Sequence, residues 1–490
     1  MTAIPVLPEQ RDLVAGRRGP ATVRTGGWLT DPNTGRRLAP ALESGPEQVE
    51  RALATADALH RERRWATAPV GDRVALLPAI ADRLAARSGE IARAESVDSG
   101  VPISVTAMFG GGPADVVRGA AEQLSAARLH EELPGAVRPV RLLRLPWGPA
   151  AVIVPFNAPS FIAVKKTAYA LAAGAPVICK PSPIAPSGVN LVADAIAEAL
   201  ADADAPAGLF QLLHGGAGPG AALAADPRVR ALCFTGGQRT GGSIVRASAG
   251  DFKALQLELG SNNPVVVRGD ADLDATADAL VAGFTKLNGQ WCESPGSVFV
   301  PAALHDALLD AILDRLAVLR AGHSLDPETG FGPQADEECL DRLRGRLARL
   351  RSAGGKALTS TPMPDLPGWF LAPTVVRDAD PADATEEIFG PVLTLHPVRD
   401  DEQAVELANS RVTGLAGYVF GADEEAAMDV GARLECGEIK INGTSLLDLT
   451  ETSTQGFWGS SGTGAHGNAE LLRFFCGARI VGVDDPGLPL

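Results

Sequence analysis

A cysteine on a turn is the first candidate for chemistry in this chain of 490 residues. The segment 287–292 (LNGQWC) follows an amphipathic helical pattern and precedes an apolar run at 297–300. Asn288-Gly289 breaks the helix. Because such a turn exposes a thiol while its flanking elements fix it, Cys292 can act as a nucleophile. The alternative is a small buried core residue, and other parts of the chain must decide between the two.

Several polar groups follow other apolar runs. Asn157 lies between two prolines, where its amide can donate to a developing oxyanion or cap a turn. Lys180 and Ser182 supply a cation and a hydroxyl. The segment 235–241 (TGGQRTG) is a glycine-rich turn into a helix, which favours a pyrophosphate, although it is not the G-x-G-x-x-G fingerprint. Glu258 can be a general base. The structural alternative for Lys180 and Glu258 is a solvated surface charge.

Short apolar strands must position these groups. A first series is predicted at 151–154, 176–179, 209–213, 231–234 and 255–258, and a second at 264–267, 297–300, 392–395, 417–420 and 438–441. Helical patterns separate many of these strands, which is typical of βαβ units and of a parallel sheet covered on both faces. Ligands bind such sheets at the carboxyl ends of the strands, where the polar groups fall.

The remaining patterns are helical or peripheral. Helices are predicted at 46–64, 70–97, 114–129, 160–171, 187–200, 273–284 and 469–475, with the glycine run at 110–113 as an interruption and residues 1–20 as a loose arm. The segment 137–147 alternates basic and apolar residues, which predicts a strand or hairpin with one face on water or on a partner subunit. One more strand is predicted at 478–483.

Composition narrows the class of protein. The length exceeds one core, so two or three domains are expected. A net charge of −15 argues against nucleic acid and anionic membranes as main partners. Six cysteines are scattered without a CxxC pair, which argues against a zinc or redox motif and fits a reducing compartment. We find no signal peptide, no membrane-spanning run and no metal-ligand spacing, and we therefore expect a cytoplasmic protein.

Together these motifs resemble the aldehyde dehydrogenase superfamily from about residue 26 to residue 483. The order and spacing carry the resemblance, and the motifs are PFNAP at Pro155, KPS at Lys180, FTGG at Phe234, ELGSNNP at Glu258, GQWC at Gly289, EEIFGP at Glu386 and SGTG at Ser461.

The resemblance implies an α/β fold with two doubly wound, Rossmann-like parallel-sheet domains and a small β oligomerisation arm. The implied cofactor-binding domain covers residues 1–130 and 149–259, the catalytic domain 260–468, and the arm 131–148 and 469–490. The arm argues against a monomer, and we expect a homodimer or homotetramer.

The resemblance also implies a mechanism. Cys292 would attack an aldehyde as the thiolate, with the Asn157 amide and the Cys292 backbone N–H holding the oxyanion. After hydride transfer to NAD or NADP, Glu258 would activate the water that hydrolyses the thioester to a carboxylic acid. Lys166 matches a family lysine that polarises the site.

Cofactor contacts follow by position. Lys180 and Ser182 fall where the family binds the adenine ribose, Gly237 where it binds pyrophosphate, and Glu387 and Phe389 where it holds the nicotinamide ribose. The same cofactor site is expected to include Pro155, Phe156, Thr240 and Leu259.

Departures from the family pattern carry two hypotheses. The glutamate that many NAD-preferring members have three residues after the lysine is Pro183, which cannot repel a 2′-phosphate, so NADP should be tolerated. Lys165 replaces a tunnel aromatic and Ala158 replaces a frequent Phe, so a polar or anionic aldehyde is expected; the alternative is that Lys165 turns into solvent.

Three further substrate contacts are expected at Trp291, Glu293 and Gln455. A departure also follows the SGTG motif, where the Arg-Glu of many members is Ala465-His466.

Two rival functions stay open at this stage. A CoA-acylating enzyme would use the same cysteine but generally lacks the base, and a non-catalytic member of the fold usually loses the cysteine.

Overall fold

A computed structural model describes residues 7–134, 138–446, 449–450, 452–484 and 487. The helices of these residues, in chain order, are α1 (Pro46–Glu62), α2 (Val70–Ala86), α3 (Ser88–Ser99), α4 (Ile103–Ala126), α5 (Pro159–Ala173), α6 (Ser187–Asp202), α7 (Ala217–Ala225), α8 (Gln238–Ser248), α9 (Leu273–Thr285), α10 (His305–Val318), α11 (Glu337–Ser352), α12 (Asp401–Asn409), α13 (Glu424–Gly431) and α14 (Asn468–Phe474). Within the described ranges, none of the helices has the length and apolar character needed to cross a membrane.

The strands share two large sheets and several small ones. In chain order they are β1 (Arg11–Val14), β2 (Arg17–Pro20), β3 (Val23–Asp31), β4 (Arg36–Glu43), β5 (His130–Glu132), β6 (Val140–Pro146), β7 (Ala150–Ile153), β8 (Val177–Lys180), β9 (Phe210–Leu212), β10 (Ala231–Gly236), β11 (Ala254–Leu259), β12 (Asn263–Val267), β13 (Pro295–Pro301), β14 (Lys356–Leu358), β15 (Thr374–Arg377), β16 (Val392–Val398), β17 (Thr413–Gly414), β18 (Ala416–Phe420), β19 (Glu438–Ile441), β20 (Gln455–Gly456), β21 (Trp458–Gly459), β22 (Gly462–Thr463), β23 (Ala465–His466) and β24 (Cys476–Gly482).

The first large sheet has the strand order β2-β1-β9-β8-β7-β10-β11-β22. Its central strands run parallel from β9 to β11, and each is buried along most of its length because helices cover both faces. The apolar runs of the sequence therefore become the inner strands of a doubly wound layer. Strand order reverses beside β7, which places Asn157 and the β10 and β11 ends around one crevice.

The second large sheet has the order β14-β15-β16-β13-β12-β18-β19 and is parallel from β15 to β19. The buried valines of β12 and β13 pack on α9 and α10, whose apolar faces include Leu280, Phe284 and Leu308. Asp272 begins α9 by accepting hydrogen bonds from the backbone N–H groups of Asp274 and Ala275. This helix leads into the Cys292 turn.

A third sheet joins distant parts of the chain in the order β24-β6-β5. The predicted strands at 137–147 and 478–483 pair antiparallel, with Leu143 opposite Arg479. Residues 135–137 and 488–490, which belong to the predicted arm, lie outside the described residues. Strand β24 is an edge strand, and its Ile480 and Val481 are 58% and 50% exposed.

Three local predictions were wrong. The helix predicted over 70–97 breaks at Arg87 into α2 and α3. The glycine run at 110–113 does not interrupt a helix, because α4 continues through it; the ring of Phe161 packs so close to Gly112 that a Cβ there would lie 3.3 Å from it. The described part of the predicted N-terminal arm forms β1 and β2 in the first sheet.

Candidate active site

The turn before Cys292 has a strained backbone conformation, and hydrogen bonds from a side chain of the turn stabilise it. After α9 a short 3₁₀ turn carries Leu287, Asn288 and Gly289 at positive φ values of 50°, 59° and 78°. The Asn288 amide donates to the carbonyl oxygens of Gly100 and Pro333 at 2.9 and 2.7 Å. These bonds hold a backbone conformation that a non-glycine residue rarely adopts.

Gly289 is needed at its place for two reasons. Its φ is left-handed, and a Cβ there would lie 2.2 Å from the backbone nitrogen of Pro391. The turn that carries the thiol therefore lies directly against the loop that contains Glu387 and Phe389.

Cys292 lies at the carboxyl side of this turn, half-buried, and its backbone is fixed from the second sheet. Asn263 at the start of β12 donates from Nδ2 to the Cys292 carbonyl oxygen at 2.9 Å. The Sγ atom lies 3.8 Å from Oε1 of Glu258. Burial, followed by the carboxylates of Glu258, Glu293 and Glu387, raises the pKa of the Cys292 thiol well above its usual value. The side chain of Cys292 is therefore a thiol at rest.

Glu258 comes from β11 of the first sheet. Gln256 and Glu258 alternate with leucines along this strand and so lie on one face. Lys166 of α5, which is buried, donates from Nζ to Oε1 of Gln256 at 2.7 Å and lies 3.8 Å from Oε2 of Glu258. Glu258 is thus placed by a strand and faced by a helix that follows Asn157.

Charge around Glu258 keeps it ionised. Burial would raise the pKa of this carboxyl, but His466, Lys166 and Lys165 outweigh burial and hold the pKa well below its usual range. A carboxylate that stays ionised in a partly enclosed crevice can accept a proton from water.

His466 is the site residue that sequence reasoning missed. Its Nδ1 lies 3.1 Å from Oε2 of Glu258, and its Nε2 lies 3.5 Å from Nζ of Lys165. Strand β23 carries it and pairs with β20, with Gln455 opposite His466. The departure of Ala465-His466 from the family pattern was the signal in the sequence, but nothing in the sequence placed it beside Glu258.

The predicted oxyanion donor occupies a rigid bend. Asn157 lies between β7 and α5, half-buried, with Pro155 before it and Pro159 at the first turn of α5. The start of α5 is fixed because a buried carboxylate oxygen of Glu95 accepts from the backbone N–H of Ser160 at 2.7 Å. The oxyanion role of the Asn157 amide stays a prediction.

The candidate adenosine side contains a buried lysine. Lys180 at the end of β8 donates from Nζ to the carbonyl oxygens of Pro181 and Gly215. Burial lowers the pKa of Lys180 to about 8, against the opposing influence of Cys179 and Glu43. Ser182 is half-buried beside it, and its Oγ accepts from the backbone N–H of Ile184 at 3.3 Å.

The candidate pyrophosphate position is a helix start with open space. Gly237 precedes α8, and a Cβ there would meet no described atom within 4 Å. Thr240 is exposed in the first turn of α8. Leu259 at the end of β11 packs so closely that a Cβ on Gly241 would lie 2.7 Å from it. A bare helix N-terminus suits a pyrophosphate.

The candidate nicotinamide side has a buried carboxyl group, Glu387, with one oxygen that makes no hydrogen bond to the described residues. Oε1 of Glu387 is buried and makes no hydrogen bond within the described residues. Burial raises the pKa of Glu387 to about 8. Its carboxylate fills the space beside Gly260, where a Cβ would lie 1.9 Å from Oε1. Phe389 meets Phe156 edge to face, with ring centroids 5.8 Å apart.

These observations fit a nicotinamide dinucleotide. An unpartnered buried oxygen of Glu387 can accept from ribose hydroxyls, and the open start of α8 can receive a pyrophosphate. The individual contacts stay predictions.

Four residues were predicted to meet the substrate, and their places differ. Lys165 is buried, with 7% of its surface exposed, so the alternative that it turns into solvent was wrong. Trp291 is a core residue that donates from Nε1 to the Gly283 carbonyl oxygen at 2.9 Å, and this placement favours a packing role. The Glu293 carboxylate lies 3.6 Å from Nζ of Lys440.

Gln455 lies on a cavity of about 220 Å³. Glu438 and His466 also line this cavity. Gln455 itself donates to the Leu415 carbonyl oxygen at 3.0 Å.

Comparison with known proteins agrees with this geometry. The profile of the aldehyde dehydrogenase family matches residues 24–481. A betaine aldehyde dehydrogenase of Cereibacter sphaeroides is 33% identical over 425 residues, covering 85% of this chain and 86% of that protein.

Solved structures give the same result. A betaine aldehyde dehydrogenase of Staphylococcus aureus, crystallised with NAD⁺, superposes with a TM-score of 0.90 at 25% identity, covering 98% of this chain and 96% of the other. An NAD-dependent aldehyde dehydrogenase of Sinorhizobium meliloti superposes with a TM-score of 0.91 at 29% identity, covering 99% and 96%.

Proposed function

The chain belongs to the aldehyde dehydrogenase family as an NAD(P)-dependent enzyme, and we propose that it works by the hydrolytic route, with Cys292 as nucleophile and Glu258 as base. The observation that carries the proposal is the 3.8 Å distance between the Cys292 sulfur and Oε1 of Glu258. A thiol and an ionised carboxylate meet there, although one comes from the turn before β13 and the other from β11 of the first sheet.

The steps follow from these groups. The Cys292 thiol gives up its proton to solvent, the sulfur forms a bond to the aldehyde carbon, and the Asn157 amide with the Cys292 backbone N–H receives the resulting oxyanion. When bound, the nicotinamide dinucleotide supplies hydride-accepting chemistry, which leaves a thioester on Cys292. Glu258 then takes a proton from water, the hydroxyl adds to the thioester carbon, and the carbon–sulfur bond breaks to release the acid and the thiolate.

Lys166 supports the base in this scheme. Its ammonium group is held by Gln256 and faces Oε2 of Glu258, so it favours the ionised form of the carboxylate. Around the cofactor, Lys180 and Ser182 would meet the adenine ribose, Gly237 and Thr240 the pyrophosphate, and Glu387 the nicotinamide ribose. The side chains of Pro155, Phe156, Leu259 and Phe389 would form apolar walls beside the cofactor.

The substrate class that we propose is a polar or anionic aldehyde. Lys165 brings a cation into the partly enclosed site, and an ammonium group disfavours a cationic substrate as strongly as it favours an anionic one. Betaine aldehyde is a cation, and two of the relatives are named for it. We therefore expect it to be a poor substrate, which makes it the informative negative test in a substrate panel.

Assembly and location belong to the same proposal. The exposed apolar residues Ile480 and Val481 on the edge strand β24 support a homodimer or homotetramer formed through the third sheet. Sedimentation velocity on the wild type and on an Ile480→Lys variant tests this, since a monomer in both would contradict it. The scattered free cysteines agree with a cytoplasmic protein.

One assay tests the function. Aliphatic, aromatic, amino-, carboxy- and betaine aldehydes are incubated with NAD⁺ or NADP⁺, with and without CoA, and the products are identified. We expect free carboxylic acid with or without CoA, and neither product nor a burst of reduced cofactor in Cys292→Ala. An acyl-CoA product that requires CoA would favour the acylating rival, and turnover by Cys292→Ala would overturn the assignment of the nucleophile.

A further inference from the structure

His466 occupies a place between the proposed base and a second lysine. Its side chain is 17% exposed, and its two ring nitrogens face different partners, Oε2 of Glu258 at 3.1 Å and Nζ of Lys165 at 3.5 Å. The Nδ1 atom is buried and makes no well-aligned hydrogen bond to the described residues. It lies 3.1 Å from Oε2 of Glu258, close enough for an electrostatic contact with the carboxylate.

The surroundings fix the protonation of the ring. Burial lowers the pKa of His466, and the two lysines add to this lowering against the opposing effect of Glu258. The ring is therefore neutral near pH 7. A charged ammonium can only donate, so Nε2 accepts from Lys165 and the ring proton lies on Nδ1, the nitrogen 3.1 Å from Oε2 of Glu258.

The two oxygens of Glu258 then have separate tasks. Oε2 faces Nδ1 of His466 and Nζ of Lys166, whereas Oε1 faces the Cys292 sulfur. A carboxylate whose one oxygen is held presents the other oxygen in a fixed direction. Without the ring, the carboxylate is free to rotate and loses one of the groups that favour its charge.

We propose that His466 is a positioning residue: its Nδ1–H holds Oε2 of Glu258 and thereby directs Oε1 toward the carbon bound to Cys292. The inference rests on the proposed function, because it assigns His466 to the hydrolysis step. It acts through Glu258 and takes no part in the attack of the sulfur on the aldehyde.

This assignment predicts that the two halves of the reaction respond differently. Acylation of Cys292 does not require a fixed orientation of Oε1 of Glu258. Attack by water does require it, because Oε1 must accept the proton of that water. Loss of His466 should slow hydrolysis and should move the acid limb of its pH profile upward, because Glu258 would lose the ring that helps to hold its pKa low.

The test uses p-nitrophenyl acetate as the probe, in the absence of cofactor. This activated ester acylates a thiol and releases a coloured phenolate, so the burst reports acylation of Cys292 and the steady state reports hydrolysis of the thioester. The variants are His466→Ala and His466→Asn, since the asparagine side chain places an N–H near the position of Nδ1. The exposed His130 of β5 supplies the matched control His130→Ala.

We expect His466→Ala to keep the burst, to lose about tenfold in the steady-state rate, and to show its acid limb at higher pH. His466→Asn should recover most of the rate, and His130→Ala should match the wild type. Acetylated Cys292 should accumulate in His466→Ala, as measured by intact-protein mass spectrometry.

Two outcomes would overturn the inference. One is an unchanged steady-state rate and pH profile in His466→Ala; the other is an equal loss of burst and steady state in both His466 variants, which indicates a structural role. A failure of the proposed function would give a different result. Either Cys292→Ala would still show a burst, or Glu258→Gln would hydrolyse the thioester at the wild-type rate.

Discussion

The sulfur of Cys292 and Oε1 of Glu258 lie 3.8 Å apart, although Glu258 belongs to a strand of the first sheet and Cys292 to the turn before a strand of the second. Strand β11 of the first sheet carries the carboxylate, and the strained turn before β13 carries the thiol. The distance between the two side chains depends on how the two sheets pack. The two predictions for Glu258→Gln depend on this distance.

Glu258→Gln should separate the two half-reactions. The amide cannot accept a proton from water, so hydrolysis should slow by about 100-fold or more, while the first equivalent of reduced cofactor still forms. Rapid-quench measurement of the burst, with mass spectrometry of the acyl-enzyme, checks this. A steady-state turnover rate in the variant equal to that of the wild type would show that another group activates the water.

The same substitution should make the Cys292 thiol more acidic. Burial is the main cause of its raised pKa, and the negative charge of Glu258 adds to it. Removing that charge lowers the pKa, so at pH 7 more thiolate is present and alkylation by iodoacetamide should be faster in Glu258→Gln. The control is Glu293→Gln, whose charge is paired with Lys440 and should matter less. Slower alkylation in Glu258→Gln would mean that Glu258 deprotonates the thiol.

The exposed Pro183 should decide how NADP binds. Since proline neither bonds the 2′-hydroxyl nor repels a 2′-phosphate, we expect the wild type to accept both cofactors. Pro183→Glu should weaken NADP binding by about tenfold or more through charge repulsion near Lys180 and leave NAD binding nearly unchanged. Calorimetric titration of both cofactors measures this, with the uncharged Pro183→Gln as the matched control. A wild type that binds NAD at least a hundredfold more tightly than NADP would contradict the prediction.

Lys165→Met should reveal the polarity of the substrate site. The change removes a buried cation beside His466, so KM for a carboxy-aldehyde such as succinic semialdehyde should rise about tenfold more than KM for propionaldehyde. The exposed Lys356 gives the control Lys356→Met. Equal changes of KM for both aldehydes would show that Lys165 does not meet the substrate.

Gly289→Ala should destabilise the protein by about 3 kcal/mol. Its φ of +78° is unfavourable for alanine, and the added Cβ would lie 2.2 Å from the Pro391 nitrogen. Gly119→Ala in α4 is the matched control, because its Cβ would meet no described atom within 4 Å and alanine favours a helix. Denaturant unfolding measures both, and equal stability of the two variants would contradict the expectation.

Much of the fold could be predicted from sequence because its inner strands are short apolar runs with clear ends. The runs at 151–154 and 231–234 became β7 and β10 within two residues at each end. The continuation of α4 through its glycines could not be predicted, since local sequence favours a break at glycine and the packing of Phe161 against Gly112 is a tertiary contact.

The site residues that lie in family motifs could be predicted from the sequence, and His466, which lies outside the motifs, could not. The motifs indicated Cys292 and Glu258 but gave no position for His466, because the short pairing of β20 with β23 brings that ring to Glu258. Local patterns of two-residue strands are too weak to predict such a pairing.

The close approach of Gly289 to Pro391 has a consequence for motion in the enzyme. The turn that bears the sulfur and the loop that bears Glu387 touch through backbone atoms, with no flexible side chain between them to absorb a displacement. A displacement of the loop is therefore expected to displace the turn and the sulfur with it.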